Sequence, residues 1–225
     1  MDDQLYEQAI KKFERLQSNY PYGRYAQQAE MEIAYAYYKT AEPAPALSGI
    51  DRFIKQYPNN PHLDYMYYLK GLINFDENLG GTMMSFSYQD PSERDPKSLH
   101  ESYDTFKELL TRFPNSPYSP DTRLRMEYLI NTLAGSDVHV AHYYLRRGAY
   151  IAALNRSKSV LLNYPQSPQS RDALQIMVQA YDAMGMTDLR DDTKRVLSLN
   201  IAKDGHQPAS ILIAKRKTPW WVFWD

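Results

Sequence analysis

One phrase returns four times in this chain and constrains it more than any other feature. A small residue is followed, four and seven residues on, by apolar positions, and an aromatic-Pro pair closes the phrase. The copies are Ala9-Phe13-Leu16-Tyr20-Pro21, Ala46-Ile50-Phe53-Tyr57-Pro58, Ser102-Phe106-Leu109-Phe113-Pro114 and Ala153-Ser157-Val160-Tyr164-Pro165. Counted from each closing Pro, the positions are always −12, −8, −5 and −1. That spacing lines one helical face, so each copy reads as a helix that stops where Pro cannot continue it. A fixed internal period is the signature of stacked repeats, whose units bury their apolar faces against one another. Such a chain is built to present a surface.

The residues after each closing Pro are equally regular. Asn60, Ser116 and Ser167 stand two residues after it, as N-cap candidates, with Gly23 in that place in the first copy. Pro61, Pro117 and Pro168 come next, suited to a first helical turn. Opening helices are therefore predicted over 25–39, 63–75, 118–133 and 171–184, with a last helix over 188–200. Connections this short make neighbouring helices stack antiparallel. The first two closing prolines lie 37 residues apart, close to the tetratricopeptide unit of roughly 34 residues. Gly148-Ala149-Tyr150-Ile151-Ala152-Ala153 adds the Gly-x-Tyr-x-x-Ala turn that joins the two helices of that repeat. The predicted class is all-α: a tetratricopeptide-repeat superhelical solenoid of antiparallel helix pairs.

The interval from Pro58 to Pro114 is 56 residues, and the excess is assigned to a loop over 76–94, before Asp95-Pro96 opens the next helix. The chain then divides into N-terminal repeats over 1–95, C-terminal repeats over 96–203 and a basic, aromatic tail over 204–225. The first closing helix starts near Gln4 with no opening helix before it. A half-repeat leaves an apolar face bare, so further residues are expected upstream of Met1.

Composition narrows the function. Hydrophobic content of 43% and charged content of 24% suit a globular chain, and a net charge of −1 offers nucleic acid no electrostatic attraction. With no Cys, neither disulfides nor a thiolate zinc site can form. No apolar run approaches the roughly 20 residues that cross a bilayer, and Met1-Asp2-Asp3-Gln4 does not begin a signal peptide. Either the protein is cytoplasmic or its targeting segment lies outside this sequence. Catalysis finds no support: His62, His100, His139, His142 and His206 form no His-Glu-x-x-His motif, and no nucleophile elbow or phosphate loop occurs. His139 and His142, three apart, are solvated or packing residues in preference to metal ligands, and no cofactor is expected. Tyr is the anomaly, with 20 residues against 7 Phe and 3 Trp. Its ring and polar tip suit both inter-helix packing and half-exposed binding surfaces.

Tyr20-Pro21-Tyr22-Gly23-Arg24-Tyr25-Ala26-Gln27-Gln28, Ala34-Tyr35-Ala36-Tyr37-Tyr38-Lys39, Ile50-Asp51-Arg52-Phe53-Ile54, Ser92-Glu93-Arg94-Asp95-Pro96 and Tyr143-Tyr144-Leu145-Arg146-Arg147-Gly148-Ala149-Tyr150 with Asn155-Arg156 closely resemble the BamD family. These are the tetratricopeptide lipoproteins of the β-barrel assembly machinery of Gram-negative bacteria. The resemblance covers about residues 4–200 and implies five repeats, a signal peptide and a lipid-bearing Cys upstream. It also implies attachment to the periplasmic face of the outer membrane, and as partners the BamA POTRA domain, the BamC and BamE lipoproteins and unfolded outer-membrane proteins. The lipid-bearing Cys is absent from this sequence, and the quoted motifs place no counterpart for the tail after Lys203. Without the resemblance, another periplasmic repeat adaptor or a cytoplasmic chaperone-docking module remains open.

The sequence offers three candidate sites. An N-terminal groove of Tyr20, Tyr22, Tyr25, Gln28, Tyr35, Tyr38, Tyr65 and Tyr68 would suit the aromatic-ended strands of unfolded barrel proteins, with inter-repeat packing as the alternative role for these rings. Around the fourth repeat, Arg146, Arg147, Arg156, Tyr143, Tyr150 and Asn155 have the Arg-Tyr composition of interface hot spots. The resemblance assigns them to BamA docking, with Arg156 facing an acidic residue there. Last, Trp220, Trp221 and Trp224 beside Lys215-Arg216-Lys217 would fold back onto the last hairpin, dock on a partner or enter a lipid interface.

Overall fold

A computed structural model describes residues 3–79 and 97–204. Most of the expected loop over 76–94, the Asp95-Pro96 cap and the tail with Trp220, Trp221 and Trp224 lie outside the described residues. Among the described residues the chain forms nine helices and no strand. They are α1 (Asp3–Asn19), α2 (Arg24–Lys39), α3 (Pro43–Gln56), α4 (Leu63–Leu79), α5 (Lys97–Arg112), α6 (Ser119–Arg146), α7 (Tyr150–Asn163), α8 (Gln169–Ala183) and α9 (Thr187–Asp204). The fold is all-α and tetratricopeptide-like, as expected from the repeated phrase. Two compact units divide the chain, Met1–Leu129 and Ile130–Asp225.

The phrase accounts for both the ends and the buried faces of the helices that carry it. α1, α3, α5 and α7 each stop two residues before the closing Pro. In each case the aromatic residue ahead of Pro donates its N–H to the carbonyl four residues back, at 2.8 Å: Tyr20 to Leu16, Tyr57 to Phe53, Phe113 to Leu109, Tyr164 to Val160. Pro then has no N–H to offer, and the helix ends. Positions −12, −8 and −5 of the second and third copies (Ala46, Ile50 and Phe53; Ser102, Phe106 and Leu109) are all fully buried.

In the first unit, Ala34 of α2 and Ala46, Ile50 and Phe53 of α3 pack with Leu63, Met66, Leu69 and Ile73 of α4. α4 and α5 approach more closely still. Ser102 Oγ donates to the Gly71 carbonyl at 2.9 Å, and a Cβ on Gly71 would lie 2.2 Å from Phe106 Cε1. That contact explains why Ser holds the small-residue place and why α4 carries a glycine. In the second unit, Ala134, Val138 and Ala141 of α6 meet Ala153 and Val160 of α7 and Ala173 and Ile176 of α8. Ser157, at an apolar place in the fourth copy, is buried there with no partner for its hydroxyl among the described residues.

Helix ends explain where the predicted boundaries move. α4 runs on to Leu79, past the predicted end at Phe75, and α6 runs to Arg146, well past Leu133. Ala134, Val138 and Ala141 keep an apolar face in step through that extension, so packing overrides the weak helix propensity of Gly135. The turn that closes α6 holds Gly148, with φ 73°. Ala149 N–H donates to the Tyr144 carbonyl at 3.0 Å and Gly148 N–H to that of Leu145 at 3.1 Å, the paired bonds of a Schellman cap. Gly185 closes α8 in the same way, with φ 70°. Asn60 and Ser116 act one turn ahead of the helices they were expected to cap. Asn60 Oδ1 accepts from His62 N–H at 2.8 Å and Ser116 Oγ from Tyr118 N–H at 3.2 Å.

Candidate functional site

In the first unit, the opening helices α2 and α4 and the start of α6 bring a row of aromatic rings together. Tyr6 of α1 meets Tyr35 edge-on, with centroids 6.4 Å apart, and Tyr35 lies 6.3 Å from Tyr38. On α4, Tyr65 lies 5.8 Å from Tyr118, and Tyr68 stacks on that ring at 4.7 Å and 16°. Further along, Phe75 meets Tyr128 edge-on at 5.5 Å. All these tyrosines are half-buried. Each exposes part of an apolar ring while its neighbours hold it in place.

A line of polar groups accompanies the rings. The Tyr38 hydroxyl donates to Asp76 Oδ2 at 2.5 Å, and the Tyr68 hydroxyl to Asp121 Oδ2 at 2.7 Å. Arg125 Nε donates to the same Asp121 oxygen at 2.5 Å, with its guanidinium 5.0 Å over the Phe75 ring. Burial, and then the Asp121 hydrogen bond, push the Tyr68 phenol up to about 12. Burial likewise raises Tyr38 and Tyr65. All three are neutral donors at physiological pH. Burial holds Asp76 above its ordinary value, although Tyr38, Arg125 and Lys39 pull the other way. Glu32 and Tyr35 approach Tyr65 from α2, and its hydroxyl, unlike those of Tyr38 and Tyr68, makes no hydrogen bond among the described residues.

The eight expected groove residues therefore fall into two groups. Tyr35, Tyr38, Tyr65 and Tyr68 belong to the row. Tyr20, Tyr22, Tyr25 and Gln28 are exposed where α1 passes into α2, with Arg24 Nη2 donating to the Tyr25 hydroxyl at 3.0 Å. Tyr118, Asp121 and Arg125 join the row from outside the expected set.

In the second unit, Tyr143 and Tyr144 meet edge-on at 5.7 Å, and the Arg147 guanidinium lies 5.5 Å over the exposed Tyr143 ring. Arg146 and Asn155 are exposed. Tyr150 turns the other way, against the buried Leu154, Met177, Ala180 and Tyr181. Arg156 is occupied within the chain: Nη1 donates to Asp137 Oδ1 at 3.1 Å, and Ser159 Oγ holds the other oxygen at 3.2 Å. The ion pair still leaves the Arg156 side chain 51% exposed, against 19% for Asp137.

A family model described as outer membrane lipoprotein, YfiO, matches residues 1–196. The chain belongs to this family. It is similar to the outer membrane protein assembly factor BamD of Neisseria meningitidis serogroup A, at 40% identity over 224 residues, covering 97% of this chain and 81% of the relative. Against the protein of that name from Vibrio cholerae, identity is 39% over 194 residues, covering 85% and 79%. Against that from Haemophilus influenzae it is 32% over 195 residues, covering 87% and 74%. The resemblance read from the tyrosine-rich and arginine-rich motifs is thereby established, and with it an association with the outer membrane.

As a YfiO-family protein this is an outer membrane protein assembly factor, working with a membrane assembly complex. Its relatives are named for assembly and not for a reaction. Among the described residues no helix is long and apolar enough to cross a membrane. Tyr118, Asp121 and Arg125 were missed because Tyr118 meets Tyr68 across 50 residues of sequence, and no spacing rule connects them.

Proposed function

We propose that this assembly factor is a non-enzymatic scaffold that receives unfolded outer-membrane β-barrel proteins along the aromatic row of its first unit. The same reading has it dock on the BamA POTRA domain through Tyr143, Arg146, Arg147, Asn155 and Arg156 of its second unit, with BamC and BamE as further partners. The observation that carries it is the row itself. Tyr35, Tyr65, Tyr68 and Tyr118 offer half-exposed ring faces in series, and Tyr65 adds a neutral hydroxyl with no partner of its own among the described residues. An extended strand with alternating aromatic side chains would stack on such rings and take a backbone hydrogen bond from the hydroxyl. For docking, the support is an Arg-Tyr surface whose Arg156 is only half covered by its own ion pair.

Anisotropy titration with a labelled peptide copying the last strand of an outer-membrane barrel tests the substrate half. Tyr65→Ala is expected to weaken binding about tenfold, the equivalent of ~1.4 kcal/mol. Unchanged affinity in a folded variant would contradict it.

A further inference from the structure

α9 is the last described helix, and it buries little of itself. Thr193 is its one buried residue among those described, on the side packed against α8, with Arg190 and Leu197 half-buried beside it. Along the edge of that contact runs an apolar stripe open to solvent. Leu189, Val196 and Leu199 follow one another at intervals of seven and three residues, which puts them on one helical face. They are 48%, 46% and 64% exposed. Single exposed leucines are ordinary, but the outermost helix of a stack needs a polar outer face unless something covers it.

Polar groups frame the stripe. Asn200, one turn beyond Val196, donates Nδ2 to the Val196 carbonyl at 3.0 Å, which leaves its Oδ1 available as an acceptor. At the start of α9, Asp188 makes no hydrogen bond or ion pair among the described residues. The nearby Arg190 is already shared between Asp182 and Asp191, at 2.8 Å from each. The surface therefore calls for apolar rings that carry an N–H, with positive charge close by.

The tail over 205–225 has that composition. It holds every Trp of the chain, Trp220, Trp221 and Trp224, with Val222 and Phe223 between them and Lys215-Arg216-Lys217 just before. An indole offers a large apolar face and one N–H donor. The tail is also tethered to the stripe, since it leaves α9 at Asp204. Leu189 lies ~22 Å back along the helix axis, and the residues from Asp204 to Trp220 can span up to ~50 Å. A tether of this kind supplies an effective concentration on the order of millimolar, which a separate partner would have to exceed. We infer that the tail docks on its own chain, with Trp220, Trp221 and Trp224 covering Leu189, Val196 and Leu199 and the basic triplet drawn to Asp188. This contact is separate from the aromatic row and from the Arg-Tyr surface, and it depends on the function proposed for neither.

Trp emission reads the tail alone, because no Trp lies elsewhere. In the full chain it should lie to the blue of that from a synthetic peptide of residues 205–225 and resist acrylamide quenching, at every protein concentration. The chain has no Cys, so Val222→Cys accepts a single nitroxide. The backbone amides of Leu189, Val196 and Leu199 should broaden when the isotope-labelled chain carries the nitroxide itself. They should stay sharp when the nitroxide is only on an unlabelled copy mixed with it. Val196→Ser with Leu199→Ser, two exposed changes, should bring the emission to that of the free peptide and abolish the broadening. Asp188→Lys should raise acrylamide quenching. Emission matching the free peptide in the unaltered chain, broadening centred away from α9, or no effect of either variant would overturn the inference. So would broadening from the other copy, which would make the stripe a contact between chains. A blue shift that appears only with phosphatidylglycerol vesicles would overturn it as well, because the tail would then be a membrane element.

Discussion

The Tyr38 hydroxyl donates to Asp76 Oδ2 at 2.5 Å and so ties α2 to α4 across 38 residues of sequence. Burial is the largest influence on both groups, and it holds the Asp76 carboxyl above its ordinary 3.8. A carboxyl raised in the folded state binds its proton more tightly there than in the unfolded chain. Its ionised form therefore costs stability above the folded value, and the cost is relieved as pH falls through that value towards 3.8. Asp76→Asn keeps an acceptor for Tyr38 and removes the charge. Thermal melts should give the variant the higher Tm at pH 7.5, with the difference closing as pH approaches about 4. A variant less stable at pH 7.5 would mean that attraction to Arg125 outweighs burial.

Gly71→Ala should be costly. The added Cβ would lie 2.2 Å from Phe106 Cε1 and 2.5 Å from Cδ1, and that ring is fully buried with no room to retreat. Overpacking of this kind costs about 1–3 kcal/mol, readable as a lower denaturation midpoint. Retained stability would mean that α4 and α5 can separate at little cost.

Ala41→Gly should act in the opposite direction. Ala41 holds φ 57° at the end of α2, where its N–H reaches the Tyr38 carbonyl at 3.2 Å and Glu42 N–H that of Tyr37 at 2.9 Å. An L-residue pays about 1–2 kcal/mol in that region, while Gly costs roughly 0.4–1 kcal/mol through the unfolded chain. The balance favours Gly by about 0.5–1 kcal/mol, and Tm should rise by ~1–4 °C.

The contrast between Phe53 and Tyr118 separates what was legible in the sequence from what was not. Phe53 sits at a position that recurs in every copy of the phrase, so its burial and the helix end near it followed from spacing and from the chemistry of Pro. The Gly148 turn was legible for the same reason. Tyr118 meets Tyr68 only because two helices stack, and nothing local to either residue records that meeting. The length of α6 was hidden in another way: Gly135 reads as a weak point until the alanines around it are placed against α7 and α8. Arg156 reads in the sequence as an interface candidate, but its pairing with Asp137, 19 residues earlier, was not legible.

That pairing changes the mutation that best tests docking. Arg156→Glu would set a carboxylate beside Asp137 and mix a local repulsion with the loss of a contact. Arg156→Ala removes the cation without adding a second carboxylate beside Asp137. It should weaken capture of BamA POTRA domains by about 2–5 kcal/mol if the contact is desolvated in the complex, and lower stability by only ~1 kcal/mol, since Arg156 is half exposed and Ser159 still donates to Asp137. Undiminished capture at normal helicity would remove Arg156 from the interface.

A crosslinking map tests the central claim most directly. Benzoylphenylalanine is placed singly at Tyr35 and Tyr65 in the aromatic row, and at Leu162, exposed on α7, as a control. Each protein is irradiated with a peptide copying the final strand of an outer-membrane barrel, and with a scrambled peptide lacking the terminal aromatic residue. Labelling is expected at 35 and 65 with the native peptide, much less with the scrambled one, and none above background at 162. Equal labelling by both peptides, or labelling confined to position 162, would contradict the account and leave the row as packing between helices.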